Sequence, residues 1–180
     1  MPTEFFRILS LSGGGARGIL QSELLCRYEQ QLGAPISSQF DLIVGTSVGG
    51  VIAAALAHGV TAQRISNIFR DSMAAVFRPQ NMGFLRGPRY SFEPLRIKLN
   101  SEFGNARIKT LNRKLILVSA TLDRFQIKLI TNMDEVVGAE TDISLVDAAL
   151  ATAAAPTYFS AVKPEGKEQS EVVPLSETAG

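Results

Sequence analysis

Histidine and cysteine are almost missing from the 180-residue sequence, which holds one of each. The lone cysteine, Cys26, excludes a disulfide framework and any multi-cysteine zinc site. Long apolar runs are also missing, and the longest, residues 51–57, is too short to span a bilayer. Neither sign of charge dominates, because 18 basic and 17 acidic side chains leave a formal net charge of +1. That balance argues against a dedicated nucleic-acid-binding protein.

The beginning of the sequence shows no basic stretch followed by an apolar one, so no signal peptide is predicted. With 46% hydrophobic and 19% charged residues, a chain of this length can bury a sizeable core. We therefore expect an ordered α/β domain in the cytoplasm, with Cys26 as a small core residue.

Short apolar stretches alternate along the chain with segments of helical periodicity. Strands are expected at residues 6–12, 40–44, 114–121 and 125–131, with a tight turn at Asp123 and Arg124 between the last two. Helices are expected at residues 16–32, 48–58, 61–77 and 93–103. A capping box at Ser144 predicts a further, alanine-rich helix that ends before Pro156. This alternation predicts a mainly parallel sheet with covering helices.

One segment, residues 78–114, is strongly basic: nine basic and two acidic residues give it a net charge of +7. It could face anionic lipid head groups, since Met82, Phe84, Leu85 and Phe92 are interleaved with the cations. The alternative is a solvated surface whose charge offsets acidic residues elsewhere. We favour the solvated surface.

The pattern G-x-S-x-G occurs at Gly45-Thr46-Ser47-Val48-Gly49, between a predicted strand and a predicted helix. A strand that turns sharply into a helix holds the serine in a strained conformation and needs small neighbours on both sides. The serine hydroxyl then points toward a substrate near the helix N-terminus. This context favours Ser47 as a nucleophile, with the N–H of Val48 available to an oxyanion.

A second glycine motif, Gly13-Gly14-Gly15-Ala16-Arg17-Gly18, also joins a strand to a helix. Its backbone N–H groups could form a phosphate cradle or an oxyanion hole, or the motif could be only a tight packing turn. A dinucleotide site needs an acid at the C-terminal end of the second strand, but Asp41 lies at its start. A Walker loop needs Gly-Lys-Ser/Thr, which is absent. Arg17 could steer an anionic phosphate or form a local salt bridge.

The single histidine, His58, lies at the far end of the helix that begins after Ser47. Eleven residues at about 1.5 Å rise per residue separate them by roughly 16 Å, whereas a proton-transfer contact needs about 3 Å. A Ser-His-Asp triad within one chain is therefore excluded.

These motifs resemble those of the patatin-like phospholipases, which use a serine–aspartate dyad without histidine. Gly13–Gly18 is similar to the family's oxyanion loop, with Arg17 in place of its basic residue. Gly45–Gly50 is similar to its nucleophile elbow, and Ala148–Phe159 to its alanine-rich helix and Pro-x-Tyr/Phe-Phe ending. The resemblance implies a three-layer α/β/α fold with a mainly parallel sheet. It also implies hydrolysis of acyl-ester lipids, often glycerophospholipids, through an acyl-enzyme and without metal or organic cofactor.

The sequence departs from the family pattern in its aspartates, of which there are six: Asp41, Asp71, Asp123, Asp134, Asp142 and Asp147. None is followed by glycine and none lies after Phe159, where the family places Asp-Gly-Gly or Asp-Gly-Ala. We therefore expect a C-terminally incomplete chain that lacks its general base. In this form its activity is doubtful, and the alternative is an inactive lipid-binding or partner-binding regulatory protein.

The remaining expectations concern organisation and partners. Residues 5–162 are predicted to form the acyl hydrolase domain and residues 163–180 a divergent, irregular polar tail. The expected partner is a phospholipid or another acyl-ester lipid, with peripheral contact to a membrane and no nucleic acid. Self-association through the incomplete C-terminal edge is also expected, because truncation exposes apolar surface and a strand edge.

Overall fold

The computed structural model describes residues 5–76, 90–120 and 126–154, together with Phe159 and Val162. Within these residues the strands are β1 (Ile8–Leu11), β2 (Leu42–Thr46), β3 (Lys114–Ala120) and β4 (Ile127–Thr131). The α-helices are α1 (Gly18–Leu32), α2 (Val48–His58), α3 (Ala62–Val76), α4 (Glu93–Phe103) and α5 (Leu145–Ala153). Every strand and helix expected from the sequence is present, with ends shifted by no more than a few residues.

The described strands form one sheet in the order β1-β2-β3-β4. The first three are parallel and β4 is antiparallel to β3. Leu42 of β2 pairs with Ile8 on one side and Lys114 on the other, which fixes the register. The parallel strands β1, β2 and β3 lie side by side in chain order, and connections between parallel strands are right-handed. The helices in these connections therefore lie on one face of the sheet.

Helix α2 is the centre of the core. All its residues from Val48 to Ala57 are buried, because α2 lies on the sheet and also packs against α1, α3 and α5. Ile43, Leu115 and Leu117 face this helical layer and are fully buried. The α/β class and the mainly parallel sheet predicted from the sequence are confirmed. The sheet and this helical layer account for two of the three expected layers within the described residues.

Local sequence signals set the helix ends. Gly33 and Gly59 end α1 and α2 in the left-handed conformation, with φ of 64° and 96°, which glycine adopts at little cost. The Ser144 side chain accepts a hydrogen bond from the Asp147 N–H at 3.0 Å and so caps α5. The tight turn expected at residues 123–124 lies outside the described residues.

The apolar periodicity of α1 lies on its solvent-exposed side. Leu20, Leu24, Tyr28 and Leu32 are 63%, 47%, 56% and 48% exposed. The side that packs into the protein carries small residues such as Gly18 and Ser22, which let α1 approach its neighbours closely. The 3.6-residue period therefore predicted the helix but not which of its faces is buried.

Candidate active site

Ser47 lies between the last residue of β2 and the first residue of α2. Its φ of 53° and ψ of −132° are unusual for an L-amino acid, and among the described residues no other non-glycine has a positive φ. Such a conformation costs about 1–3 kcal/mol and persists only where the surroundings enforce it. A serine at a position that favours glycine indicates that its side chain has a role.

The glycines around Ser47 allow strand and helix to pack almost in contact. A Cβ on Gly45 would lie 2.6 Å from the carbonyl oxygen of Gly49, and a Cβ on Gly49 would lie 2.4 Å from that of Leu11. Real Cβ atoms essentially never come that close to backbone atoms. The two outer glycines of the G-x-S-x-G pattern are therefore required by the close packing of β2, α2 and the end of β1.

The glycine-rich loop follows β1 and reaches the same place. Gly14 and Gly15 have positive φ values of 147° and 53°, and a short 3₁₀ turn over Gly15–Arg17 leads into α1. A Cβ on Gly18 would lie 2.5 Å from Cγ2 of Val48. The structure thus packs the end of this loop directly against the residue that follows Ser47, although the two motifs are far apart in sequence.

Two further site residues predicted from the sequence belong to this region: Arg17 precedes Gly18, and Val48 is its contact partner. Arg17 is exposed, and its Nε lies 3.5 Å from the carbonyl oxygen of Gly14 in its own loop. Val48 is buried and begins α2, so its N–H has no acceptor within the helix. A helix N-terminus favours negative charge, which suits an oxyanion beside Ser47.

Thr152 of α5 contacts the elbow directly, and sequence reasoning assigned it no role. Its Oγ1 accepts a hydrogen bond from the N–H of Ser47 at 3.0 Å and donates one to the carbonyl of Val118 at 2.5 Å. A polar side chain near the C-terminal end of an alanine-rich helix is the signal that could have identified it. The structure thereby brings α5 to the nucleophile elbow.

The Patatin family model, described as "Patatin-like phospholipase", matches residues 9–173. The chain belongs to this family. It is 33% identical over 174 residues to a "cGAMP-activated phospholipase" of Vibrio cholerae, a match that covers 86% of the chain and 49% of that relative. It is 28% identical over 170 residues to Patatin-17 of Solanum cardiophyllum, with 87% and 44% covered. The chain thus spans about half the length of these curated relatives.

A solved structure shares the fold of this patatin-like chain. VipD from Legionella pneumophila superposes with a TM-score of 0.60 at 13% identity, covering 94% of the chain and 45% of VipD. At this identity the similarity concerns the fold alone.

The elbow lies at one end of the patatin-like sheet, whereas the histidine and two of the aspartates lie at the opposite end. His58 lies at the far end of α2, where its ring packs edge-on against Phe103 with centroids 5.4 Å apart. Asp41 precedes β2 and accepts a hydrogen bond from the N–H of Arg7 at 2.7 Å. Since Asp41 and Ser47 flank the five residues of β2, six steps of about 3.3 Å, roughly 20 Å of extended chain, separate them. Asp134 follows β4, whose last residue pairs near the start of β3, so it lies at the same far end.

Two further aspartates of the patatin-like chain form ion pairs. Asp142 pairs with Arg107 at 2.8 Å. Asp147, in the first turn of α5, is buried and pairs with Arg96 of α4 at 2.9 Å. These contacts link α4, α5 and the segment between them, and they give both carboxylates structural partners. Asp71 is exposed on α3, and Asp123 lies outside the described residues.

Beyond residue 154 the structure describes Phe159 and Val162. The ring of Phe159 stacks on Phe92, with centroids 4.0 Å apart and planes 4° from parallel, and Val162 is buried. Phe92 immediately precedes α4, so the Phe159 ring packs beside the start of that helix. Phe92, one of the apolar residues interleaved with the cations of residues 78–114, therefore packs against the core rather than standing free at the surface.

Cys26 is buried on α1, with its Sγ 3.2 Å from Oε1 of Gln63, as expected of a core residue. In the part of the chain that the structure describes, no group of three or more His, Cys, Asp and Glu residues is arranged to hold a metal ion. None of the helices in that part is long and apolar enough to cross a membrane.

Proposed function

We propose that the chain is a serine-dependent lipid acyl hydrolase domain with Ser47 as its nucleophile. The observation that carries this proposal is the positive φ of Ser47 at the end of β2, where strain is retained at a serine that begins a helix. Ser47 Oγ attacks the carbonyl carbon of an acyl ester and its proton passes to a base, which returns it to the departing alkoxide so that the alcohol leaves. Water then hydrolyses the acyl-enzyme, releasing the fatty acid and restoring the hydroxyl.

The oxyanion formed during attack requires donors close to Ser47. We assign these to the backbone amides of Gly13, Gly14 and Gly15 and to the N–H of Val48. The contact between Gly18 and Val48 supports this assignment, because it brings the glycine loop to the start of α2. Arg17 lies beside the loop and is our candidate for attracting an anionic lipid head group.

We propose that none of the six aspartates of residues 1–180 is the general base. Three aspartates, Asp41, Asp142 and Asp147, accept hydrogen bonds from other groups, and Asp41 lies at the far end of β2. No Asp-Gly pair follows Phe159 in the sequence. Losing one member of a catalytic unit commonly costs about 10⁴-fold in rate. We therefore expect low turnover from residues 1–180 alone.

The test is covalent labelling of Ser47 by a fluorophosphonate probe, combined with hydrolysis of a short-chain p-nitrophenyl ester. Ser47→Ala should abolish labelling, whereas Ser101→Ala, a change at an exposed serine of α4, should not. Appending a family-like segment with Asp-Gly-Gly should raise turnover. Absence of labelling in both the short and the extended protein would count against the proposal. Turnover of residues 1–180 at an ordinary enzymatic rate would refute the assignment of the base.

Because a relative carries the name "cGAMP-activated phospholipase", activation by cGAMP is part of the proposal. Hydrolysis of phosphatidylcholine and phosphatidylglycerol vesicles by the extended protein is measured with and without cGAMP. A rise that requires both cGAMP and Ser47 supports cGAMP-dependent activity. Equal rates with and without the nucleotide would exclude it and leave the hydrolase assignment standing.

A second candidate function is binding to an anionic lipid surface without turnover, favoured by the exposed apolar side of α1. That side begins next to the glycine loop and carries Leu20, Leu24 and Tyr28, with Arg27 exposed on the same helix. An exposed apolar helix face with a cation beside it can contact an anionic lipid surface. Leu24→Ser should reduce binding to phosphatidylglycerol vesicles, while Ile97→Ser, at a similarly exposed residue of α4, should not. Equal binding of the two variants would exclude α1 as the lipid contact.

The remaining proposals concern organisation. We propose a cytoplasmic protein that contacts membranes peripherally, with a catalytic domain at residues 5–162 and a divergent polar tail at residues 163–180. Self-association through the C-terminal edge is proposed for the isolated chain. Light scattering tests it directly, because a monodisperse monomer would contradict it.

A further inference from the structure

Thr152 occupies a position from which it can control the backbone of Ser47. It lies in the last turn of α5 and is 1% exposed. Its hydroxyl is placed between the N–H of Ser47 and the carbonyl of Val118, at 3.0 and 2.5 Å. Since Thr46 pairs with Val118 in the sheet, the hydroxyl bridges β2 and β3 at the point where the chain leaves β2.

The methyl group of Thr152 is fixed as tightly as its hydroxyl. A Cβ on Gly50 would lie only 2.4 Å from Cγ2 of Thr152, so the methyl group occupies the space that glycine leaves free on α2. With the methyl group against α2 and the hydroxyl bonded on two sides, the threonine side chain has a single arrangement available. It can therefore impose an orientation on the amide that it bonds.

The N–H that bonds Thr152 belongs to the peptide that precedes Ser47, and the orientation of this peptide determines the conformation of the elbow. The peptide between Thr46 and Ser47 precedes the rotation that gives Ser47 its φ of 53°. A partly buried N–H in this place needs an acceptor, and the hydroxyl of Thr152 supplies it. Because this N–H is directed to Thr152, it is not among the donors that face the oxyanion, which leaves that role to Val48 and the glycine loop.

We propose that Thr152 is a positioning residue for the nucleophile: its hydroxyl holds the Ser47 amide and thereby keeps the Ser47 side chain directed at the substrate. This inference rests on the proposed function of Ser47. It predicts separate effects for the two halves of the threonine side chain. The hydroxyl sets the reactivity of Ser47, and the methyl group contributes to packing with α2.

The experiment compares Thr152→Val, which keeps the shape and removes the hydroxyl, with Thr152→Ser, which keeps the hydroxyl and removes the methyl group. The matched control is Thr131→Val, because Thr131 is also buried and its hydroxyl also donates to a carbonyl of β3, that of Leu115, at 2.6 Å. The first readout is hydrogen exchange of the Ser47 amide by NMR, with the Ile43 amide as the reference in each protein. The second readout is the rate of fluorophosphonate labelling of Ser47.

Thr152→Val should raise exchange of the Ser47 amide at least tenfold relative to that of Ile43, and should slow labelling at least tenfold. Thr152→Ser should keep both values within about threefold of the wild type, with a lower melting temperature from the lost packing. Thr131→Val should lower the melting temperature without changing either ratio. Unchanged exchange and labelling in Thr152→Val would overturn the proposal, as would loss of labelling in Thr152→Ser.

The two readouts separate this inference from the function on which it rests. Exchange does not require a reactive serine, so it reports on the hold of Thr152 even in an inactive chain. If the wild type is not labelled but exchange rises only in Thr152→Val, the nucleophile assignment fails and the structural hold on Ser47 stands. If labelling occurs and is equal in Thr152→Val and the wild type, the positioning role fails and the nucleophile assignment stands.

Discussion

Replacing Gly49 by alanine should destabilise the protein, although glycine-to-alanine changes within helices normally stabilise. The new Cβ would lie 2.4 Å from the carbonyl oxygen of Leu11 and 2.5 Å from that of Ser12. Ordinary contact begins at 3.4 Å, so α2 would have to retreat from β1 by about 1 Å. Both nearest atoms belong to the backbone of β1 and the loop after it, and cannot rotate away as a side chain would.

Two opposing free energies decide the sign of this change. Alanine in place of glycine favours the helical state by about 1 kcal/mol. Overpacking a rigid core costs about 1–3 kcal/mol, and the upper value applies here because α2 is buried on all sides. The net loss of about 2 kcal/mol corresponds to a fall in melting temperature of about 4–8 °C for a chain of this size.

Thermal unfolding followed by circular dichroism measures the effect of Gly49→Ala, and Gly33→Ala is the control. Gly33 ends α1 in the left-handed conformation, with φ of 64°, and has open space around it, so alanine there costs only backbone strain, about 1 kcal/mol. A rise in melting temperature for Gly49→Ala, or a fall no larger than that of the control, would refute the packing argument.

Three further changes test the packing and charges within and between the helices. Gly18→Ala should lower the melting temperature and slow labelling of Ser47, because its Cβ would lie 2.5 Å from Val48, and adding Val48→Ala should restore much of both. Arg96→Met should destabilise by roughly 2–4 kcal/mol in urea unfolding, because it leaves the buried Asp147 carboxylate unpaired, and adding Asp147→Asn should recover part of that loss. A hydrogen bond from Ser66, helped by Arg70, lowers the pKa of Glu23 in the folded protein. The ionised Glu23 therefore stabilises the fold at a pH above the ordinary glutamate pKa, and this stabilisation is lost as the pH falls through the lowered pKa of the folded state. Glu23→Gln should therefore flatten the fall in melting temperature as the pH drops below the ordinary glutamate pKa of 4.5, and an unchanged slope would contradict this.

Local signals made the secondary structure predictable. The glycines after α1, α2 and α4 predicted the C-terminal ends of these helices, since Gly33, Gly59 and Gly104 follow them directly. Ser144 predicted the start of α5 because its side chain satisfies the Asp147 N–H. These signals act between residues a few positions apart, so the sequence itself contains all the information that they need.

Contacts between distant residues were not predictable in the same way. The pairing of Arg96 with Asp147 joins residues 51 positions apart, and neither residue has a local feature that selects the other. The exposed side of α1 is a second example, because helical periodicity locates an apolar face without saying whether another element covers it. In α1 the small residues of the opposite face allow closer packing and are buried instead.

The candidate site combines features that local sequence signals predicted with contacts that they did not. The scarcity of histidine and the two glycine motifs determined, from sequence alone, that Ser47 is the candidate nucleophile and that His58 cannot serve it, because helix geometry fixes their separation. Only the tertiary structure decided that Gly18 packs on Val48, that the carbonyl of Leu11 requires glycine at position 49, and that Thr152 bonds the Ser47 amide across 105 positions. Each of these depends on how β1, α2 and α5 come together, and close packing over such separations is set by the whole core rather than by any local pattern.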